Sequence, residues 1–291
     1  MHIITIMNYK ERSALIMCKA WIYFAKRFNP KATISIFYHD DISQIRQFAS
    51  YYLNISFVKI RFPKGLSALS RGHTHHPAQD LRLALWKQLE LLQITKFIYI
   101  DADAFILGSL NNWWNIIDLK PYIAIPECRM PSGRLRLNAG VHSYCDQSGF
   151  ITYDKLINQY KRDGNRILVE AGEQGLIYSY FRRINYTYTH PTIDYAYNSI
   201  AKYCRVVRAD DREIVVYSGS FPMIKKIARA VQLKKKDFSE NWLWWNNPTR
   251  VKILHAFGGP GPGYKFWELP ECKSLWRYCI AKTSRAFQPS L

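Results

Sequence analysis

The sequence predicts a single α/β domain in which helices cover the faces of a sheet. Through the first 125 residues, short apolar segments rich in β-branched residues alternate with amphipathic helical stretches. Hydrophobic residues make up 48% of the chain and aromatic residues 15%, which is ample for a packed core and excludes a disordered chain. No segment reaches the roughly 18 consecutive apolar residues that a membrane-spanning helix needs. We expect one continuous domain over 1–267, followed by a basic and aromatic extension over 268–291.

The elements of the first hundred residues can be predicted one by one. Apolar residues recur at three- and four-residue steps from Ala14 to Ala25 and from Leu81 to Leu92, and each set forms one helical stripe. Glycine and proline interrupt the pattern over 63–79, which predicts a long loop. Period-two hydrophobicity and β-branched content predict strands at 2–7, 32–38, 55–61 and 96–100.

After residue 125 the alternation is looser, and the elements are predicted from shorter patterns. The strand-like segments are 137–144 and 213–217, and the helix-like segments are 148–161 and 173–182.

The charge of the chain favours an anionic partner or surface. Lys and Arg number 41 against 22 Asp and Glu, which gives a formal net charge of +19. The six cysteines have irregular spacing without a CxxC pair, so neither a zinc ribbon nor a dense disulfide scaffold is indicated. The opening apolar segment turns polar at Asn8, unlike a signal peptide. We therefore expect a cytoplasmic protein with reduced thiols.

Two carboxylates follow directly on the fourth predicted strand. Asp101 and Asp103 are two residues apart, and on an extended backbone their side chains point to the same side. Ligands of open α/β sheets bind at this carboxyl end of the strands. Two like charges this close favour a cation, and hard oxygen ligands suit Mg²⁺ or Mn²⁺, which would in turn hold a diphosphate. An Asp-x-Asp pair is also common at strand ends where it only caps a helix.

A second polar element lies towards the end of the chain. A short strand delivers His255 into a glycine-rich turn that begins at Gly258, and the amides of such a turn can approach phosphate oxygens. Lys265 then supplies a positive charge. His255 is predicted to complete the metal ligands through an imidazole nitrogen. The alternative is a flexible loop beside a histidine of the core.

Several short motifs follow one another along the chain. They are Arg82-Leu83-Ala84-Leu85-Trp86, Asp101-Ala102-Asp103, Leu137-Asn138-Ala139-Gly140-Val141, Gly172-Glu173-Gln174-Gly175-Leu176, Tyr197-Asn198 and His255…Gly258…Lys265-x-Trp267. In order and spacing they resemble the glycogenin-like glycosyltransferases of family 8, over about residues 3 to 267. The resemblance implies a Rossmann-like GT-A fold and a nucleotide-diphosphate-sugar donor, a UDP-sugar first. It also implies transfer of a hexose to a glycan or protein acceptor with retention of anomeric configuration.

The resemblance also implies roles for individual residues. Glu173 stands where that family usually has Asp, and the turn after Gly258 is longer than usual. The matched positions are Asp101, Asp103 and His255 for the metal, Mn²⁺ or Mg²⁺; Lys265, with the amides around Gly258, for the pyrophosphate; Thr5 and Tyr9 for the nucleoside, with Asn8 beside them; Arg82 for the donor; and Asn138, Glu173 and Gln174 for the transferred sugar.

The chemistry of retention leaves two routes open. The metal and Lys265 would stabilise the charge of the departing diphosphate. Retention then requires a covalent glycosyl-enzyme, for which Glu173 is the nearest carboxylate, or attack on the same face with the leaving phosphate as base.

Other functions are weighed against this prediction. A nucleotidyltransferase would open with a glycine-rich phosphate loop, whereas residues 7–12 contain no glycine. The +19 charge and 20 tyrosines suggest a nucleic-acid-binding protein, but no RRM, zinc-finger or helix-turn-helix pattern supports it, and no nucleic acid is expected. A non-catalytic glycan-binding relative would have little reason to keep the aspartates, the histidine and the lysine.

Residues 264–286 combine apolar and basic side chains, which fits peripheral contact with an anionic membrane or packing on the domain.

Overall fold

The structure, a computed structural model, describes most of the elements that surround the predicted site. The described residues are 1–9, 12–61, 77–127, 136–146, 148–163, 166–193, 195–200, 204–209, 214–218, 249–255 and 272–284. In chain order the elements are β1 (His2–Ile6), α1 (Arg12–Phe28), β2 (Thr33–Tyr38), α2 (Ser43–Ala49), β3 (Ile55–Lys59), α3 (Pro77–Leu91), β4 (Lys96–Ile100), β5 (Ala104–Ile106), α4 (Asn111–Ile116), β6 (Tyr122–Glu127), β7 (Arg136–Cys145), α5 (Tyr153–Asp163), α6 (Arg166–Arg183), β8 (Ser199–Ile200), β9 (Cys204–Ala209), β10 (Ile214–Ser218), β11 (Thr249–Arg250), β12 (Ile253–His255) and α7 (Lys273–Ser284), with 3₁₀ turns at Ile117–Leu119 and Tyr195–Tyr197.

The central sheet has six strands in the order β3–β2–β1–β4–β7–β6. The first four of these are mutually parallel, and β7 runs antiparallel to both β4 and β6. Successive side chains of a strand point to opposite faces of the sheet, and in β1 and β4 both faces are buried. Ile3 and Ile98 belong to the core that contains α1, whereas Ile4 and Tyr99 belong to the core that contains α3 and α6. The helices therefore cover both faces, and the predicted α/β class is confirmed.

A small sheet brings two distant parts of the chain together at one end of the central sheet. Its strand order is β5–β12–β8, with β12 antiparallel to β5 and parallel to β8. In this register His255 pairs with Ala104, the residue that follows Asp103. The remaining three strands, β11, β10 and β9, form a separate antiparallel sheet.

The C-terminal helix α7 packs against α1 through its apolar side. Leu275 is fully buried, and the hydroxyls of Tyr278 and Tyr23 form a 2.8 Å hydrogen bond between the two helices. Lys273 and Arg277 are exposed on the other side. This geometry favours the packing interpretation for the described part of 264–286. The boundary predicted at 267/268 lies outside the described residues. Within the described ranges, no helix has the length and apolar content to cross a bilayer.

The predicted elements agree with the structure except at three helix starts. One is that of α6, which was expected from residue 173 but begins at Arg166. Residues 77–79 were expected in the loop over 63–79, but α3 begins at Pro77, because proline fits the first turn of a helix. The rest of that loop prediction lies outside the described residues. The helix expected from residue 148 begins at Tyr153, because Gly149 has a φ of +68° and Thr152 Oγ1 accepts the N–H of Lys155 as an N-cap.

Candidate metal and donor site

Three candidate metal ligands meet at the carboxyl end of β4. The Asp101 N–H donates to the carbonyl of Gly140 at 2.7 Å, and the Ala104 N–H donates to the Asp101 carbonyl at 3.0 Å, so the chain turns sharply into β5. Pairing of β5 with β12 then places His255 beside the turn. One ligand atom from each of Asp101, Asp103 and His255 lies within 4.8 Å of the others. The predicted ligand set is therefore brought together.

The imidazole of His255 is oriented by a neighbour. Its Nδ1 lies 3.0 Å from Oδ1 of Asn198, an acceptor, and its Nε2 lies 3.4 Å from Oδ1 of Asp103 and 4.0 Å from Oδ2 of Asp101. An Nδ1–H held in this way leaves the Nε2 lone pair for a metal. Burial lowers the pKa of His255, but the hydrogen bond and charge of Asp103 outweigh burial and raise the pKa above its usual value.

The carboxylate of Asp101 has two further partners. The hydroxyl of Tyr99 donates to Oδ1 at 2.6 Å, and the Arg82 guanidinium forms an ion pair with Oδ2. Burial raises the pKa of Asp101, Arg82 lowers it, and the nearby charge of Asp103 raises it again, with a net rise above its usual value. A bound cation would favour the ionised form of both carboxylates.

Glu173 lies behind Arg82, away from solvent. Its side chain is 2% exposed, Oε1 accepts from Trp86 Nε1 at 3.4 Å, and Oε2 lies 3.8 Å from Nη1 of Arg82. Burial raises the pKa of Glu173 to about 7, although the charge of Arg82 opposes the rise. Among the described residues Oε2 has no hydrogen-bond partner. Glu173 thus contacts the site through Arg82.

Gly140 forms one wall of the candidate metal site. A Cβ at this position would lie 2.7 Å from Cε1 of His255, 3.0 Å from Oδ1 of Asn138 and closer still to Oδ2 of Asp101. Only glycine leaves room for these three side chains. Oδ1 of Asn138 accepts the Gly140 N–H at 2.8 Å, so Asn138 lies beside the candidate metal ligands. The lack of a side chain at Gly140 is the structural feature that makes room for the candidate ligands of a metal ion.

Gln174 also reaches the site. Its Oε1 accepts the N–H of Ala139 at 3.0 Å, next to Gly140.

The predicted nucleoside residues lie at the same end of the sheet. Because β1 is parallel to β4, Thr5 near the carboxyl end of β1 and Asn8 just beyond it lie at the end of the sheet where Asp101 follows β4. Oγ1 of Thr5 and Oδ1 of Asn8 are buried without a hydrogen-bond partner in the described part of the chain. Tyr9 borders a cavity of about 540 Å³ beside α1. Gly258 and Lys265 lie outside the described residues, so their roles stay predictions.

Sequence reasoning assigned no role to Tyr99, Gly140, His142 or Asn198. Tyr99 had a usable signal, since it lies two residues before Asp101 and an extended strand turns both side chains to one face. Gly140 and Asn198 were noted within motifs, but their contacts depend on strand pairings that sequence spacing does not reveal.

Comparison with known proteins gives a clear result at the level of structure only. No family model and no curated protein matches this chain. The galactosyltransferase LgtC, solved with donor and acceptor sugar analogues, has a TM-score of 0.62 at 14% identity, covering 100% of this chain and 98% of LgtC. The glycosyltransferase GlyE of Streptococcus pneumoniae TIGR4 has a TM-score of 0.60 at 16% identity, and the match covers 97% of this chain but spans only 61% of GlyE. Mouse xyloside xylosyltransferase 1 has a TM-score of 0.52 at 10% identity, over 87% of this chain and 96% of the mouse chain. The chain therefore has the GT-A fold found in these glycosyltransferases.

Proposed function

We propose that the protein is a metal-dependent glycosyltransferase that moves a hexose from a nucleotide-diphosphate sugar to a glycan or protein acceptor. The observation that carries the proposal is the meeting of Asp101, Asp103 and His255 at the ligand-binding end of a GT-A sheet. Two carboxylates and an imidazole suit Mn²⁺, and the lack of a side chain at Gly140 leaves them room. LgtC was solved with donor and acceptor sugar analogues, which supports substrates of these classes here.

Several residues of this chain are proposed to bind different parts of the donor. A divalent cation bound to the three ligands would neutralise the diphosphate and stabilise charge on the leaving group. Arg82 lies against Asp101, where its guanidinium can contact a donor phosphate or sugar hydroxyl. Asn138 and Gln174 flank Gly140, where they can bind the transferred sugar. Thr5 and Asn8 would hold the nucleoside, for which UDP is the first candidate. Lys265 would add a positive charge at the pyrophosphate.

Retention is proposed to proceed by attack on the same face of the sugar, with the leaving phosphate oxygen accepting the acceptor's proton. Glu173 is the nearest carboxylate for a covalent intermediate, but it is 2% exposed and lies behind Arg82 and Trp86. Its position instead supports a role in orienting Arg82. The burial of Glu173 is therefore the reason for proposing same-face attack over a covalent glycosyl-enzyme.

The test is a screen of nucleotide sugars with Mn²⁺, read as release of the nucleotide and as transfer to water or simple saccharides. We expect turnover with at least one donor, UDP-sugars first, and a loss of about a hundredfold or more in Asp103→Asn. Asp154→Asn is the matched control, because Asp154 is exposed on α5. Unchanged turnover in Asp103→Asn would exclude the metal assignment, and salt-sensitive DNA binding without turnover of any donor would favour the nucleic-acid function instead.

A further inference from the structure

Strand β7 loses its regular pairing with β6 where it passes the candidate metal site. Ala124 of β6 pairs with His142, and Pro126 pairs with Leu137. One residue of β6 therefore faces the longer stretch 138–141 of β7, which is an irregular bulge. Backbone polar groups that would pair with β6 in a regular ladder need other partners in this stretch.

Side chains provide these partners at Ala139. Its N–H donates to Oε1 of Gln174 at 3.0 Å, and its carbonyl oxygen lies 2.9 Å from Nδ1 of His142. Because a carbonyl oxygen only accepts, Nδ1 of His142 carries the proton. The peptide groups on both sides of Ala139 are thus fixed, and the next residue is Gly140, the wall of the site.

His142 contacts a second support of the same site. In the β4–β7 register it lies directly opposite Tyr99, and the two rings stack with centroids 4.9 Å apart and planes at 20°. Tyr122 stacks at 4.8 Å and 17°. The hydroxyl of Tyr99 donates to Asp101. The imidazole therefore touches both the tyrosine that holds Asp101 and the backbone that packs against it.

We propose that His142 is a positioning residue of the candidate metal site, which it serves by holding the Ala139–Gly140 backbone through its Nδ1–H. The aromatic stack keeps the ring in place for this bond. The inference rests on the proposed function, since it concerns the geometry in which Asp101 meets the other ligands. Gly140 has little freedom to move, because Asp101 and His255 lie against it.

Proton transfer is not the role of this histidine. Its side chain is 3% exposed, and burial lowers its pKa to about 3, so the ring is neutral near pH 7. A neutral Nδ1–H donor is what the Ala139 carbonyl requires.

Two variants separate the hydrogen bond from the packing. His142→Phe keeps an aromatic ring in the stack and removes the donor, whereas His142→Asn removes the ring and keeps an N–H donor at about the same distance along the side chain. The control is Tyr144→Phe, which removes a buried hydroxyl bonded to Asp146 and Ile151, away from the metal ligands. Binding of Mn²⁺ alone is measured by electron paramagnetic resonance of the free ion, and thermal stability is measured beside it.

We expect His142→Phe to weaken Mn²⁺ binding by about tenfold, His142→Asn to stay within about threefold of the wild type, and Tyr144→Phe to lower thermal stability without changing the Mn²⁺ Kd. An unchanged Kd in folded His142→Phe overturns the positioning role while leaving the proposed function intact. A wild type that binds no Mn²⁺ overturns the metal site and the positioning role together. If His142→Phe does not fold, a loss of Mn²⁺ binding in His142→Asn as large as that in Asp103→Asn overturns the inference.

Discussion

Glu173 carries a cost of burial that depends on pH. Burial raises its pKa from 4.5 to about 7 in the folded protein, so the folded state holds the proton more tightly than the unfolded state. The contribution of the protonated Glu173 carboxyl to the stability of the folded state is therefore full below about pH 4.5 and is lost as the pH rises through 7. The wild type should therefore lose on the order of 2 kcal/mol of stability between pH 5 and pH 8, and we expect Glu173→Gln to lack this loss. Denaturant unfolding at the two pH values measures this, and equal slopes for the variant and the wild type would contradict it.

Gly140 should be the least replaceable residue of the site that is not itself a ligand. In Gly140→Ala the new methyl group meets Asp101 and His255, whose positions are fixed by their own partners. We expect Mn²⁺ affinity to fall by more than about tenfold, with a loss of about 1–3 kcal/mol in stability. Gly108→Ala is the control, because its methyl group would meet mainly the flexible side chain of Lys252 at 3.2 Å. Isothermal titration with Mn²⁺ and thermal unfolding compare the two, and equal losses of affinity would remove the special role of Gly140.

The carboxylate pair could be predicted from the sequence because its geometry is local. An apolar strand followed by two acids at a two-residue spacing determines both the direction and the place of Asp101 and Asp103. The partners of these acids are not local. Arg82 reaches Asp101 from a separate helix, and Asn198 reaches His255 from the opposite side of the small sheet. Spacing along the chain carries no signal for such contacts.

At the scale of the elements, α7 provides a matched pair of positions on one helix. Leu275 is fully buried against the domain, whereas Ile280 is 38% exposed. We expect Leu275→Ala to lower the free energy of unfolding by about 2–5 kcal/mol and Ile280→Ala by about 0.5 kcal/mol or less. Chemical denaturation measures both. If Ile280→Ala instead abolishes salt-sensitive binding to anionic liposomes, then the outer face of the helix contacts membranes.

The elements that were predicted best are the four parallel strands of the central sheet. For β1, β2, β3 and β4, hydrophobic periodicity and β-branched content predicted limits within two residues of the structure. Helix starts were less accurate, because the N-cap at Thr152 and the proline at the start of α3 decide them locally. The short strand β5 was not predicted, since three residues show no period and its formation depends on pairing with β12.

At the scale of the whole molecule, ligand binding should increase the thermal stability of the protein. A ligand that binds only the folded state at a hundred times its Kd stabilises it by about 2.7 kcal/mol. For a domain of this size, that corresponds to a rise in Tm of several degrees. We expect Mn²⁺ and UDP together to produce this rise in the wild type and not in Asp103→Asn. Differential scanning fluorimetry with Mg²⁺, Ca²⁺ and UDP alone provides the controls, and a rise of equal size in the variant would place the binding elsewhere.

The antiparallel pairing of β12 with β5 also has a consequence for how the protein is made. The two aspartates emerge from the ribosome first, and the histidine that completes their site follows just over half the chain later. Closing such a long loop is an entropic cost that only the finished fold repays. Translation intermediates that end before β12 should therefore fold the parallel strands and yet bind no ion. Under the proposed function, metal binding would then mark the completion of the site, and a nascent chain would bind no sugar donor before β12 is in place.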